Sequence, residues 1–131
     1  MRHDPDIIMI GEIRDEKAAK MAIRAANTGH LVISSIHATS ASGSIGRMTE
    51  LGVDLKQLKD VLVLLSYQKM LYTKNNKRLV LYEMMDEKAL QYYFVHNTHH
   101  QNYLDINSQM KKLIEVGVLD EQVLEKRNHF N

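Results

Sequence analysis

The spacing of apolar residues changes several times along this chain, and each change marks an element. Ile7 to Ile10 is an unbroken run of four, preceded by Asp4-Pro5-Asp6 and followed by Gly11-Glu12. Four residues are too few for a helix core, so the run predicts a short strand buried on both faces. Asp15 stands where a helix N-cap belongs, and Glu16 would favour the positive end of the helix dipole. Ala18, Ala19, Ala22, Ala25 and Ala26 then recur at helical spacing, a small-residue face that allows close approach to a sheet. Gly29 has the place of the glycine that closes such a helix. Leu31 to Ile36 read as a second strand, and strand, helix, strand implies a crossover between parallel strands.

After the polar turn at 38–43, Ala41, Ile45, Met48 and Leu51 share a helical face that ends at Gly52. Asp54 is placed to cap a further helix, with Leu55, Leu58, Val61, Leu62 and Leu65 as its core-facing stripe. Two β-prone runs, 66–73 and 79–84, flank the polar turn Lys74-Asn75-Asn76-Lys77. Asp86 caps a helix predicted through Val95, and a polar break covers 96–102. Helical spacing returns at Ile106, Met110, Leu113 and Ile114, breaks at Gly117 and resumes over 119–124.

Length and charge narrow the class. At 131 residues the chain is about one domain, large enough to bury a core. Lys and Arg number 17 against 16 Asp and Glu, so charge gives no case for direct nucleic-acid binding. The longest apolar run, Val61 to Leu65, is far short of the roughly 20 residues that span a membrane, and no signal-peptide pattern opens the chain. A cytoplasmic location is therefore expected. The absence of Cys excludes disulfides and thiolate zinc sites.

Candidate chemistry gathers at the carboxyl ends of the first two strands, where ligands sit in open α/β sheets. Glu12 lies there, one step past Gly11, whose missing side chain would leave room for a ligand. An acidic residue after a strand also occurs as simple loop solvation. His37 ends the second strand on the same rim, whereas His30 begins it. Seven residues at about 3.3 Å each part them by about 23 Å, so they cannot both touch one phosphate, and His30 reads as structural. Arg14 either links the Glu12 loop to a neighbour or forms a helix-end salt bridge with Asp15. The Ser and Thr cluster at 39–42 reads as a turn and cap, since no Lys follows it. His96, His99 and His100 have spacing that would put them on one helical face, as divalent metals favour. The Asn and Thr between them argue instead for a solvated loop, and no metal site is expected.

Two stretches carry a family resemblance. Asp4-Pro5-Asp6-Ile7-Ile8-Met9-Ile10-Gly11-Glu12-Ile13-Arg14-Asp15 resembles the Walker B region of the secretion and pilus-assembly ATPases, the motors of type II secretion, type IV pili and competence pseudopili. Thr28-Gly29-His30-Leu31-Val32-Ile33-Ser34-Ser35-Ile36-His37-Ala38-Thr39 resembles their histidine box. Further on, Gln68-Lys69-Met70 is similar to a Gln-Arg-Leu segment, with Lys losing the planar fork of Arg, and Arg78, Tyr82 and Glu83 match a later strand. Many relatives carry a four-cysteine zinc module before that strand. This chain has no Cys and resembles the competence-type branch without zinc.

The resemblance implies an α/β fold: a partial RecA-like P-loop NTPase core, with a mainly parallel sheet flanked by helices, over 1–85, and a small C-terminal helical region over 86–131. It implies that Glu12 activates water, that His37 senses the terminal phosphate, and that Gly11 and Arg14 lie on the nucleotide side. ATP and Mg²⁺ would be the parent enzyme's cofactors. A hexamer and an inner-membrane platform protein would be its partners, at the cytoplasmic side of the membrane. No Gly-rich run ending in Gly-Lys-Ser or Gly-Lys-Thr occurs in the sequence. The chain therefore resembles the C-terminal portion of such a motor and is expected to be inactive alone. The alternative is a non-catalytic remnant that contributes only subunit contacts.

Overall fold

A computed structural model describes residues 6–125. The lead-in through Pro5 lies outside them. Ten elements follow in order: β1 (Ile7–Glu12), α1 (Glu16–Asn27), β2 (Leu31–Ser35), α2 (Ala41–Glu50), α3 (Leu55–Val61), β3 (Leu65–Tyr72), β4 (Arg78–Met85), α4 (Glu87–His96), α5 (Ile106–Glu115) and α6 (Gln122–Glu125). Five helices begin on a side-chain cap. Asp15, Ser40, Asp54, Asp86 and Asp105 accept from the backbone N–H of Ala18, Gly43, Lys56, Ala89 and Ser108 respectively. Helices α1, α2 and α5 close with the same pair of bonds across a glycine; in α2, Gly52 N–H donates to Thr49 O and Val53 N–H to Met48 O.

β1 and β2 pair in parallel, Ile7 opposite Leu31 and Met9 opposite Ile33, with α1 as the crossover. β3 and β4 form an antiparallel hairpin, Leu65 opposite Met85 and Tyr72 opposite Arg78. The expected mainly parallel sheet is thus two separate two-stranded sheets, only the first parallel. β1 is also not buried on both faces. Ile10 and Val32 pack against the first apolar cluster and Ile8 is half-buried, while Ile7, Met9, Leu31 and Ile33 form an exposed apolar face. Only one layer of helix covers the strand pair, so alternate residues stay bare. Two further expectations shift. β2 ends at Ser35, one residue early, and α3 stops at Val61, which leaves Leu65 to start β3 and Leu55 exposed.

Two apolar clusters hold the elements together. The first joins Ala19, Ala22 and Ile23 of α1 to Ala41, Ile45 and Met48 of α2, with Ile13, Val53, Leu58, Met85 and Leu90. The second joins Leu71 and Leu81 of the hairpin to Ile106 and Met110 of α5 and to Leu119. In β4 the inward parity is Leu79, Leu81, Glu83 and Met85, so a carboxylate takes a core position. No helix among the described residues is long and apolar enough to cross a membrane.

Candidate functional site

The carboxyl rim of β1 and β2 brings Glu12, Arg14 and His37 together. Strand register shifts between Ile10 and Glu12, a bulge at Gly11 of the kind that re-aims a side chain at a strand end. Ser35 Oγ donates to Gly11 O at 2.7 Å and Ile13 N–H to Ser35 O at 2.9 Å, which ties the two strand ends across the bulge. A Cβ on Gly11 would meet nothing within 4 Å, so the space in front of it is open.

Glu12 is mostly covered and both its oxygens are engaged. Arg14 Nε donates to Oε2, and His37 Nε2 lies 2.8 Å from Oε1. The Arg14 bond goes to Glu12, not to Asp15, whose carboxylate is the α1 cap. The His37 side chain is 94% exposed, so its place depends on where the short loop from β2 to α2 is anchored at each end. The result is a carboxylate with lone pairs still free to orient water, between an imidazole and a guanidinium that can face an anion.

His30 sits elsewhere, its Nδ1 3.0 Å from Thr28 Oγ1 and 3.1 Å from Ala25 O at the end of α1, a structural arrangement. The Ser and Thr turn is spent on capping. Ser40 Oγ accepts from Gly43 N–H, and the Ala41 N–H donates to Glu83 Oε1 at 3.1 Å, so the α2 N-terminus is already occupied. The three later histidines do not share a helical face. α4 ends at His96 with Asn97 in the left-handed region, and His99 and His100 lie in the turn beyond. Tyrosines hold them instead: His96 and His100 both face Tyr92, and His99 stacks on Tyr103 with centroids 3.9 Å apart. Among the described residues no group of three His, Asp or Glu could hold a metal.

The sequence reading assigned no role to Glu83. It is 3% exposed, and its two oxygens accept from the first N–H of two helices, Ala41 of α2 and Ile106 of α5, the second at 3.0 Å. The signal that would have found it is parity: a Glu in step with Leu79, Leu81 and Met85. The Tyr103 hydroxyl is buried without a hydrogen-bond partner of normal geometry. Burial first, then the negative charges of Glu83 and Asp105, push its phenol well above the usual tyrosine range. An open groove of about 1060 Å³ is lined by Tyr82, Met84, Tyr92, Tyr103 and Leu104, away from Glu12 and His37.

The crossover-linked parallel pair and the antiparallel hairpin, packed on helices, make this an α/β protein. It superposes on the pilus retraction motor PilT with bound ADP at a TM-score of 0.74 and 28% identity, over 92% of this chain and 39% of that one. The Legionella pneumophila ATPase DotB gives 0.75 at 21% identity, over 93% and 38%, a likeness of fold. Residues 1–128 match the type II/IV secretion system protein family, and the chain belongs to that family. The competence protein ComGA of Halalkalibacterium halodurans is 35% identical over 144 aligned residues, 97% of this chain and 41% of that protein. The chain thus spans about two fifths of the length of these relatives.

Proposed function

We propose that this chain carries the water-activating and phosphate-sensing side of an ATP-hydrolysing motor of the competence type. The observation that supports this most is the Glu12 carboxylate held between Arg14 and His37 on the open rim beside Gly11. These residues fit the terminal-phosphate side of a nucleotide: Glu12 orients a water and accepts its proton at a carboxylate oxygen, His37 reports the presence of an anion, and Arg14 restrains Glu12. Bound ATP with Mg²⁺ supplies the reactive phosphoanhydride and the charge-neutralising cation. The groups that grip the inner phosphates and the cation are not among these residues, since the sequence has no Gly-Lys-Ser or Gly-Lys-Thr run and the α2 N-terminus is filled by Ser40 and Glu83. In the complete motor, six subunits and a membrane platform protein at the cytoplasmic face would turn hydrolysis into movement of a pilus or pseudopilus.

The exposed face of Ile7, Met9, Leu31 and Ile33 favours a second reading, a unit that supplies only contacts to other subunits. Calorimetry with ATP and Mg²⁺ separates the two, on this chain and on one extended with a phosphate-binding loop. Binding by the extended protein only, with turnover that falls about 10²-fold or more in Glu12→Gln at unchanged affinity, is the expected result. Binding by neither leaves the contact role. ATP turnover by the 131-residue chain alone would refute its assignment as half of the machinery.

A further inference from the structure

We propose that Glu83 is a positioning residue that transmits the placement of helix α5 to the loop carrying His37. A carboxylate this deeply buried is costly unless its oxygens are matched. Here each oxygen takes one backbone donor, and the donors belong to different helices in different cores: Ala41 of α2, in the first cluster, and Ile106 of α5, in the second. Both are first-turn N–H groups, which no intrahelical carbonyl can satisfy. Neither helix needs Glu83 for its own cap, because Ser40 already takes the Gly43 N–H and Asp105 the Ser108 N–H. The Glu83 bonds therefore join the helices rather than start them.

The effect on His37 follows from chain length. Three residues separate His37 from Ala41, and the loop's other end is tied at Ser35 by its bonds with Gly11 and Ile13. With the imidazole itself almost fully exposed, the Ala41 anchor sets where it can reach. A displacement of α5 pulls on Glu83, Glu83 on the first turn of α2, and that turn on His37 and its contact with Glu12. The value of this link to catalysis rests on the proposed roles of Glu12 and His37. The link itself is a matter of geometry and is read without turnover.

The test is nuclear magnetic resonance on the 131-residue chain. In Glu83→Gln, one side-chain oxygen becomes a donor and cannot accept. Both the Ala41 and Ile106 amides are expected to shift and to exchange faster, about tenfold or more for the one that loses its acceptor and several-fold for the one left with a neutral carbonyl in place of a charged oxygen. The His37 ring signals move with them, while the Gly43 and Ser108 amides keep their protection. A response at only one of the two amides, or an unmoved His37 ring, overturns the proposal. Asp105→Ala disturbs the α5 start while leaving Glu83 intact. It is expected to shift the Ala41 amide and the His37 ring in the wild-type background but not in Glu83→Gln. Shifts confined to α5, or equal shifts in both backgrounds, refute the link. Should Glu83→Gln not fold, the response of Ala41 and His37 to Asp105→Ala alone decides. Met110→Ala, a core loss in α5 away from Glu83, is expected to act along the same path: its effect on the His37 ring should vanish in Glu83→Gln, and equal effects in both backgrounds refute the link.

Discussion

Alanine at two glycines of α2 should change stability in opposite directions. Gly52 has φ +90° and closes the helix through its own N–H and that of Val53. An L-residue held in left-handed backbone costs about 1–2 kcal/mol, and the entropy that Ala removes from the unfolded chain returns about 0.4–1 kcal/mol. The new Cβ would also come 3.2 Å from Glu16 Oε1 and 3.3 Å from its Cδ and Cγ. Glu16 is an exposed side chain bonded to Lys20, so it can swing aside, and the backbone sets most of the cost. Gly52→Ala should lose about 1 kcal/mol. Gly46 lies inside the same helix, exposed, with nothing within 4 Å of its Cβ position. Gly46→Ala should gain about 0.5–1 kcal/mol by helix propensity. At about 4 °C per kcal/mol for a domain of this size, the melting temperatures should differ by about 6–8 °C. Thermal and urea unfolding followed by far-UV circular dichroism measure both. Changes of the same sign refute the account. If Gly52→Ala with Glu16→Ala regains most of the loss, the contact and not the backbone sets the cost.

Two further outcomes follow from the fold. Tyr103 has its phenol raised by burial and by the charge of Glu83 and Asp105. The folded state then keeps the proton where the unfolded chain, near pH 10, releases it. Its contribution is therefore present below about pH 10 and lost as pH rises through the higher folded value. Urea midpoints at pH 9 and 11 should fall less in Tyr103→Phe than in the wild type, and equal falls would contradict the assignment. The bare face of β1 and β2 should drive association, and Met9→Asp should weaken it about tenfold or more, since a buried Met contributes about 1.5–3 kcal/mol. Light scattering over a concentration series checks this; a wild-type monomer at every concentration contradicts it.

What the sequence determined is what short-range physics controls. Asp15, Asp54 and Asp86 bond to N–H groups two or three residues away, and Gly29 and Gly52 close helices on their own backbone, so those boundaries were legible. The two β-prone runs over 66–84 and the polar turn between them were legible and became β3 and β4, though not their separation from the parallel pair. The rim position of Glu12 and His37 followed from two strand ends and one crossover, and their 2.8 Å approach agrees with it. Tertiary structure decided the rest, because it depends on what lies across the chain. Four consecutive apolar residues cannot say whether one face of β1 or both will be covered. Val61 to Leu65 is apolar whether it continues a helix or turns into a strand. The break after α4 was legible as a loop, but not that tyrosine rings would take up His99 and His100 beyond the left-handed Asn97. Glu83 shows the limit most plainly: its partners are 42 residues before it and 23 after it, and only the meeting of two helix starts at one strand makes a buried carboxylate stable there.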